Sequence, residues 1–327
     1  MIPRRLQIGM WDHFTEDRWD ELADKHISGM EICSFPNREA LLQVSDFCCS
    51  QRIAFGVHAP ILSEAGFRLP QVNAPESEVF QEALEQISAE VQLASSVGAD
   101  YMLFHYPFYP VFQEPFTPYP RLPDPAHRYS YNQLSKTKFR EISKRLFEFL
   151  CELQLRYGQR IVLEHDFFGD YEDVFVDSFH AYPEIGFVLD TARLDITRRA
   201  FHGFDPYHFL DRMASQVYLV HYSNVFYDED QFTHHLPVLP EQDHDVNYGD
   251  AYAYLRYLAD RNSRFHVTFE HKASLITQQQ LHQIYSRTAL TLEEQGGART
   301  NSIVNRIDIK SGLELADSIG DNTGYGV

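Results

Sequence analysis

The chain has 327 residues, 44% hydrophobic and 23% charged, which supports a folded core and excludes a mainly disordered protein. With 28 Lys and Arg against 47 Asp and Glu, the net charge is −19, which opposes nucleic acid or an anionic membrane as the main partner. No run approaches the ~18 consecutive apolar residues of a membrane span, the opening segment Met1–Phe14 lacks the apolar stretch of a secretory signal, and Cys33, Cys48, Cys49 and Cys151 form no CxxC pair, so a cytoplasmic protein with reduced thiols is expected.

Short apolar runs alternate with longer amphipathic ones. In chain order, strands are expected at Leu6–Trp11, Gly29–Phe35 and Ile53–Pro60, each apolar nearly throughout, as strands covered on both faces are. A helix is expected over Glu76–Val97, where Val79, Ala83, Leu84, Ile87, Val91 and Ala94 recur at helical spacing before Gly98. Asp100–Pro107 is the fourth strand. Phe108–Asn132, rich in proline and aromatic residues, follows as a long loop. Leu134–Tyr157 reads as a helix ending at Gly158. Strands then follow at Arg160–Phe168, Ile185–Arg193 and Val217–Asn224, with a helix at Asp205–Ala214 before the last of these. Phe226–Tyr248, rich in His, Asp and Pro, is expected to be a second long loop. A helix over Gly249–Arg261 and a strand at Phe265–Lys272 complete the series.

Eight strands alternating with helices predict an α/β chain folded as a (β/α)8 TIM barrel over residues 1–295, with long loops after strands 4 and 7. A doubly wound open sheet would bring a glycine-rich turn after its first strand, and Met10-Trp11-Asp12-His13 holds none. Residues 296–327 are polar and glycine-containing. They are expected to form a C-terminal tail, either an arm over a neighbouring subunit of a homo-oligomer or a flexible end.

The chemistry stands at the strand ends. Val57-His58, Phe104-His105, Leu163-Glu164, Leu189-Asp190, Val220-His221 and Phe269-Glu270 close six consecutive strands with an ionisable residue after an apolar run. In a barrel those ends converge on one mouth, where active sites are built. Glu164, Asp190, His221 and Glu270 supply three carboxylates and an imidazole, a set that suits one divalent ion: Mn, Mg, Co, Fe or Zn. Without a cation the converging acids would repel one another and their pKa values would rise.

These motifs resemble the xylose isomerase-like TIM barrel superfamily, the sugar isomerase, epimerase and endonuclease IV group, over about residues 6–295. They are Val57-His58-Ala59-Pro60, Leu163-Glu164, Leu189-Asp190-Thr191, Val220-His221 and Thr268-Phe269-Glu270, with His235-Leu236-Pro237 and Asp245-Val246-Asn247-Tyr248 in the loop after strand 7. The resemblance implies that Glu164, Asp190, His221 and Glu270 bind one divalent ion. It also implies that Glu164 and Glu270 remove and return a proton on opposite faces of a substrate carbon, through an enediolate. His58 and His105 match positions that hold further metal in endonuclease IV and touch substrate in the epimerases; they are read here, with His235, as substrate contacts. The implied partner is a small polyol, keto-sugar or hydroxy-acid.

Arg193 departs from the family, which often has His three residues after the aspartate. Either it faces a substrate carboxylate or phosphate, or it pairs with Asp195 or Asp166. The Asp-x-His metal motif of endonuclease IV is absent from the loop after strand 7, where Asp243-His244-Asp245 is only a loose substitute. The competing functions are a metal-dependent phosphodiesterase of the endonuclease IV type and a non-catalytic ligand-binding barrel.

Overall fold

A computed structural model describes residues 4–293 except 12–13, 64–65, 67, 114–121, 123–128, 130–132 and 230. The tail 296–327 and most of the loop after the fourth strand lie outside the described residues. Eight parallel strands close a barrel: β1 (Leu6–Met10), β2 (Ile27–Ile32), β3 (Ala54–His58), β4 (Met102–Tyr106), β5 (Ile161–His165), β6 (Gly186–Asp190), β7 (Val217–Tyr222) and β10 (His266–Phe269), with β10 pairing back to β1. Each expected strand is present and shorter than expected, and β2 is displaced to begin two residues earlier, at Ile27. Among the described residues, no helix is long and apolar enough to cross a membrane.

The helices form over buried apolar stripes, some with a side-chain cap at the start. Helix α3 (Ser77–Ser96) buries Phe80, Ala83, Leu84, Ile87, Val91 and Ala94 on one side. Helix α4 (Lys136–Tyr157) starts at Ser135, whose hydroxyl accepts from Lys138 N–H at 3.2 Å, and stops at Gly158 with φ 64°. Four helices not expected from the pattern complete the ring on this side: α1 (Glu16–Leu22), α2 (Arg38–Gln51), α5 (Glu172–Ala181) and α6 (Thr191–Ala200). Helix α6 corrects the sixth strand, which ends at Asp190 rather than Arg193. The Asp190 carboxylate accepts from Arg193 N–H at 3.0 Å, so one residue closes β6 and caps α6 with no loop between.

The stretch Phe226–Tyr248 is also corrected. It contains an antiparallel hairpin, β8 (Asn224–Asp228) with β9 (Gln231–Leu236). Its β9 strand is exposed or half-buried throughout, so it carries none of the apolar alternation that marks a strand in sequence. Helices α7 (Pro206–Met213) and α8 (Ala251–Ala259) follow as expected, with residues 278–293 helical at the end.

The period of two along each strand stacks the barrel interior in layers. Leu103, Val162, Val188 and Leu219 pack together in an apolar layer around Tyr101. Two residues further along the same strands stand His105, Glu164, Asp190 and His221. The Tyr101 ring fits because Gly56 has no side chain; a Cβ there would lie 1.9 Å from the ring.

Candidate metal centre at the barrel mouth

His58, Glu164, Asp190, His221 and Glu270 are all buried to 8% exposure or less, on five different strand ends. Three of them meet closely. His221 Nδ1 lies 3.3 Å from Glu164 Oε2 and 3.4 Å from Glu270 Oε2. All three atoms are buried, and none has an aligned hydrogen bond. Ligand atoms around one ion at metal–ligand distances of about 2.0–2.2 Å stand roughly 3.0–3.5 Å apart. Glu164, His221 and Glu270 therefore fit a divalent ion by spacing and donor chemistry; with no ion between them, a protonated His221 pairs with both glutamates and with Glu31.

A second group meets on the same oxygen. His58 Nε2 and His105 Nε2 each lie 3.5 Å from Glu164 Oε2 and 3.1 Å from one another. His58 Nδ1 is 2.6 Å from the Ala59 carbonyl and His105 Nδ1 is 3.0 Å from Asp166 Oδ2. Each Nδ1 thus carries the proton, and each Nε2 lone pair turns inward. Two lone pairs and a carboxylate oxygen facing one another require a proton or a cation between them. In the protein alone, burial opposes charge on His58, but Glu164 outweighs it and raises its pKa. Among the described residues these are the two groups of His, Cys, Asp and Glu close enough to hold an ion.

Asp190 stands beside these groups rather than within them. Its Oδ1 is engaged by Arg193 N–H and its Oδ2 lies 3.8 Å from Arg193 Nε. Burial raises its pKa to about 6, against the attraction of Arg193. Arg193 is 14% exposed. Nη1 donates to Glu164 Oε1 at 2.7 Å and to the His165 carbonyl at 2.8 Å, and Nε pairs with Asp166 Oδ1 at 3.3 Å. Arg193 is thus held by protein carboxylates, Asp166 among them. His235 sits on β9 in the left-handed region, φ 58°, with Nε2 3.8 Å from Glu270 Oε1, so the hairpin brings it to the mouth.

Two features of the site were missed in sequence. Glu31 on β2 is fully buried, and its Oε1 lies 2.9 Å from His221 Nε2, opposite the side facing Glu164. Tyr101 donates to Glu31 Oε2, and Gln7 donates to Tyr101 and, at 2.8 Å, to Thr268. A charged residue inside the apolar run Ile27–Ile32 was the available signal. The second is the role of Asp166, named from sequence only as a partner for Arg193: it also orients His105.

The charges decide the state of the cluster. Burial opposes ionisation of Glu164, but His221, Arg193 and His105 hold its carboxyl well below the usual range. Glu270 falls to about 2: burial opposes this, and His221 and His235 overcome it. His221 is raised well above its ordinary value by Glu31, Glu164 and Glu270 despite its burial. Trp11 walls the site, its ring 6.0 Å from His58 and 6.5 Å from His221. Beyond Trp11 a cleft of about 310 Å³ opens between β1 and β10, lined also by Arg18, Phe269, His271, Lys272 and Tyr285.

No protein-family model matches the sequence, and no curated protein matches it either. Solved structures do match in fold. A xylose isomerase domain protein from Planctomyces limnophilus is 14% identical over 92% of this chain and 99% of its own, with a TM-score of 0.54. A D-tagatose 3-epimerase-like protein is 14% identical over 91% and 99%, with a TM-score of 0.57. The IOLI protein, solved with a zinc atom bound, is 15% identical over 88% and 97%, with a TM-score of 0.57. The chain has the fold of xylose isomerase-like TIM barrels, as its strand-end motifs led one to expect.

Proposed function

We propose that this protein is a divalent-metal-dependent isomerase or epimerase acting on a small polyol or keto-sugar. The observation that carries the reading is the convergence of Glu164 Oε2, His221 Nδ1 and Glu270 Oε2, three buried ligand atoms 3.3–3.4 Å apart across two edges. Fold neighbours described as epimerase-like and as zinc-bound support it. Glu164, His221 and Glu270 would hold the ion, with Asp190 alongside. When bound, the ion polarises a substrate carbonyl or hydroxyl and so acidifies the neighbouring C–H.

The chain's own groups then divide the work. Glu270 is the more exposed of the two glutamates, 8% against 1%, and its Oε1 faces outward toward His235. It is the better placed to take a proton from substrate carbon. Glu164 has Oε1 clamped by Arg193 and Oε2 turned to three imidazoles, so its role as the second acid/base requires a proton handed over within that cluster. His58, His105 and His235 line the mouth and would orient substrate hydroxyls. Arg193 is already matched by three carboxylates, which favours a neutral substrate over the anionic one that was the first of its two sequence readings. Trp11 and the hairpin limit access of water.

Incubation of the Mn²⁺-loaded protein with a panel of ketoses in D₂O tests the reading. Deuterium should enter the carbon next to the carbonyl of one of them, dependent on Glu270. No exchange with any of them, from protein shown to hold metal, would leave the ligand-binding barrel as the better account.

A further inference from the structure

One buried acid of the barrel interior has no part in the chemistry proposed above. Glu31 stands near the end of β2, and its neighbours in register on both sides are glycines, Gly9 on β1 and Gly56 on β3. An aromatic ring fills the space beside each glycine. A Cβ on Gly9 would lie 2.6 Å from the Trp11 ring, and one on Gly56 would lie 1.9 Å from the Tyr101 ring. The Tyr101 hydroxyl donates to Glu31 Oε2, and the Trp11 ring stands 6.5 Å from that of His221. Gln7 donates to Tyr101 and also, at 2.8 Å, to Thr268, which is level with His221 on the adjoining strand. With Oε2 taken by Tyr101, Glu31 Oε1 is left to His221, 2.9 Å from Nε2. Both atoms are buried and neither has an aligned hydrogen bond, so each has the other as its partner. Nδ1, across the ring, faces Glu164 Oε2 and Glu270 Oε2 at 3.3 and 3.4 Å. An imidazole that ligates through Nδ1 carries its proton on Nε2, and an acceptor there fixes the ring and strengthens the ligand. The charge of Glu31 acts in the same sense: an ion on Nδ1 carries two charges where a proton carries one, so a neighbouring carboxylate favours the ion.

We propose that Glu31 is a positioning residue of the metal centre: it turns His221 so that Nδ1 rather than Nε2 is the ligand atom, and Tyr101, braced by Gln7, holds Glu31 in that place. The inference deepens the metal reading of the preceding subsection and rests on it. It also gives the two glycines a purpose, since a side chain at either would displace a ring that encloses the Glu31–His221 pair.

The test is the affinity for Zn²⁺ by calorimetric titration of metal-stripped protein at one pH, for wild type, Glu31→Gln and Tyr101→Phe, beside urea unfolding of each in EDTA. Glu31→Gln should bind about 10–100-fold more weakly, the usual cost of losing an outer-shell carboxylate. Tyr101→Phe, which keeps Glu31 but frees one of its oxygens, should bind more weakly than wild type and more tightly than Glu31→Gln. Nitrogen-15 NMR of the Zn²⁺-loaded wild type, labelled at histidine, adds a readout that a merely structural acid would not move: His221 should carry the ion on Nδ1 and a slowly exchanging proton on Nε2. Should Glu31→Gln not fold, Tyr101→Phe and this spectrum decide. An ion on Nε2 of His221 overturns the proposal. So does a Glu31→Gln protein that is less stable in EDTA yet binds Zn²⁺ as tightly as wild type; that result leaves the metal reading standing. A wild type that binds no Zn²⁺ overturns both.

Discussion

Asp195 is the fully buried acid that ties the hairpin after β7 to the helices behind it, and its removal has a calculable cost. Its two oxygens accept from Arg198 at 2.8 Å, Arg199 at 3.1 Å, Tyr227 at 2.8 Å, Tyr254 at 2.8 Å and the Asp250 N–H at 3.1 Å. The arginine side chains are 34% and 23% exposed, so in Asp195→Ala they recover part of their loss from water. Tyr227 and Tyr254 are 4% and 0% exposed and cannot. Stranding two buried hydroxyls costs about 1–3 kcal/mol each, about 2–6 kcal/mol for both, and because the arginines rehydrate the charge-pair loss adds little to this, so a loss of about 3–5 kcal/mol, the middle of that range, is expected. At about 2 °C per kcal/mol for a chain of this size, Tm should fall by roughly 6–10 °C. Asp195→Asn, which keeps an acceptor and loses the charge, should fall between. The assay is thermal and urea unfolding, in EDTA and again with Mn²⁺. The metal-induced rise in Tm should survive in Asp195→Ala, because Asp195 touches none of the proposed ligands. A loss below about 1 kcal/mol would refute the reasoning, since it would mean that the five donors find other partners.

Glu270→Gln should keep the fold and lower turnover by about 10²-fold or more at saturating metal, because an amide cannot take the proton; full turnover in a metal-loaded variant would remove Glu270 from acid/base chemistry. His266 gives a pH prediction. Its Nδ1 accepts the Arg5 N–H at 3.0 Å, and burial, with Arg5, Arg160 and Arg4 nearby, lowers its pKa to about 3. Its unfolded value is about 6.5. The unfolded chain therefore binds one more proton than the folded chain between those values. This contribution to stability is complete above about pH 6.5 and is lost toward pH 3 at about 1.4 kcal/mol per pH unit. Urea unfolding from pH 7 to 4 should be less steep in pH for His266→Gln by that amount, and parallel curves would contradict it.

Much of the fold was legible because barrel strands are buried on both faces, so their apolar runs stand out without any need to read alternation. The site was legible for a related reason: one polar residue after each run, in the same phase at six strand ends, becomes one ring of side chains in space. What escaped notice has physical reasons too. The strand Gln231–Leu236 is solvated and has no buried face to betray it. Glu31 sits within an apolar run and makes sense only when β2 is placed opposite β7. For Arg193 the sequence left two readings, a substrate anion or a pairing with Asp195 or Asp166, and the structure shows the pairing with Asp166. Asp190 starts a helix at once, and that turn carries the guanidinium back against Glu164 and Asp166.

The measurement that bears most directly on the account is the affinity for Mn²⁺ or Zn²⁺ by calorimetric titration of metal-stripped protein, wild type against His221→Ala. Wild type should bind at least one ion per chain. His221→Ala removes a buried ligand whose Nδ1 faces both glutamates and should weaken that site at least as much as the ~10–100-fold typical of losing an outer-shell partner. A wild type that takes up no divalent ion, or a His221→Ala protein with unchanged affinity, would contradict the metal centre at Glu164, His221 and Glu270.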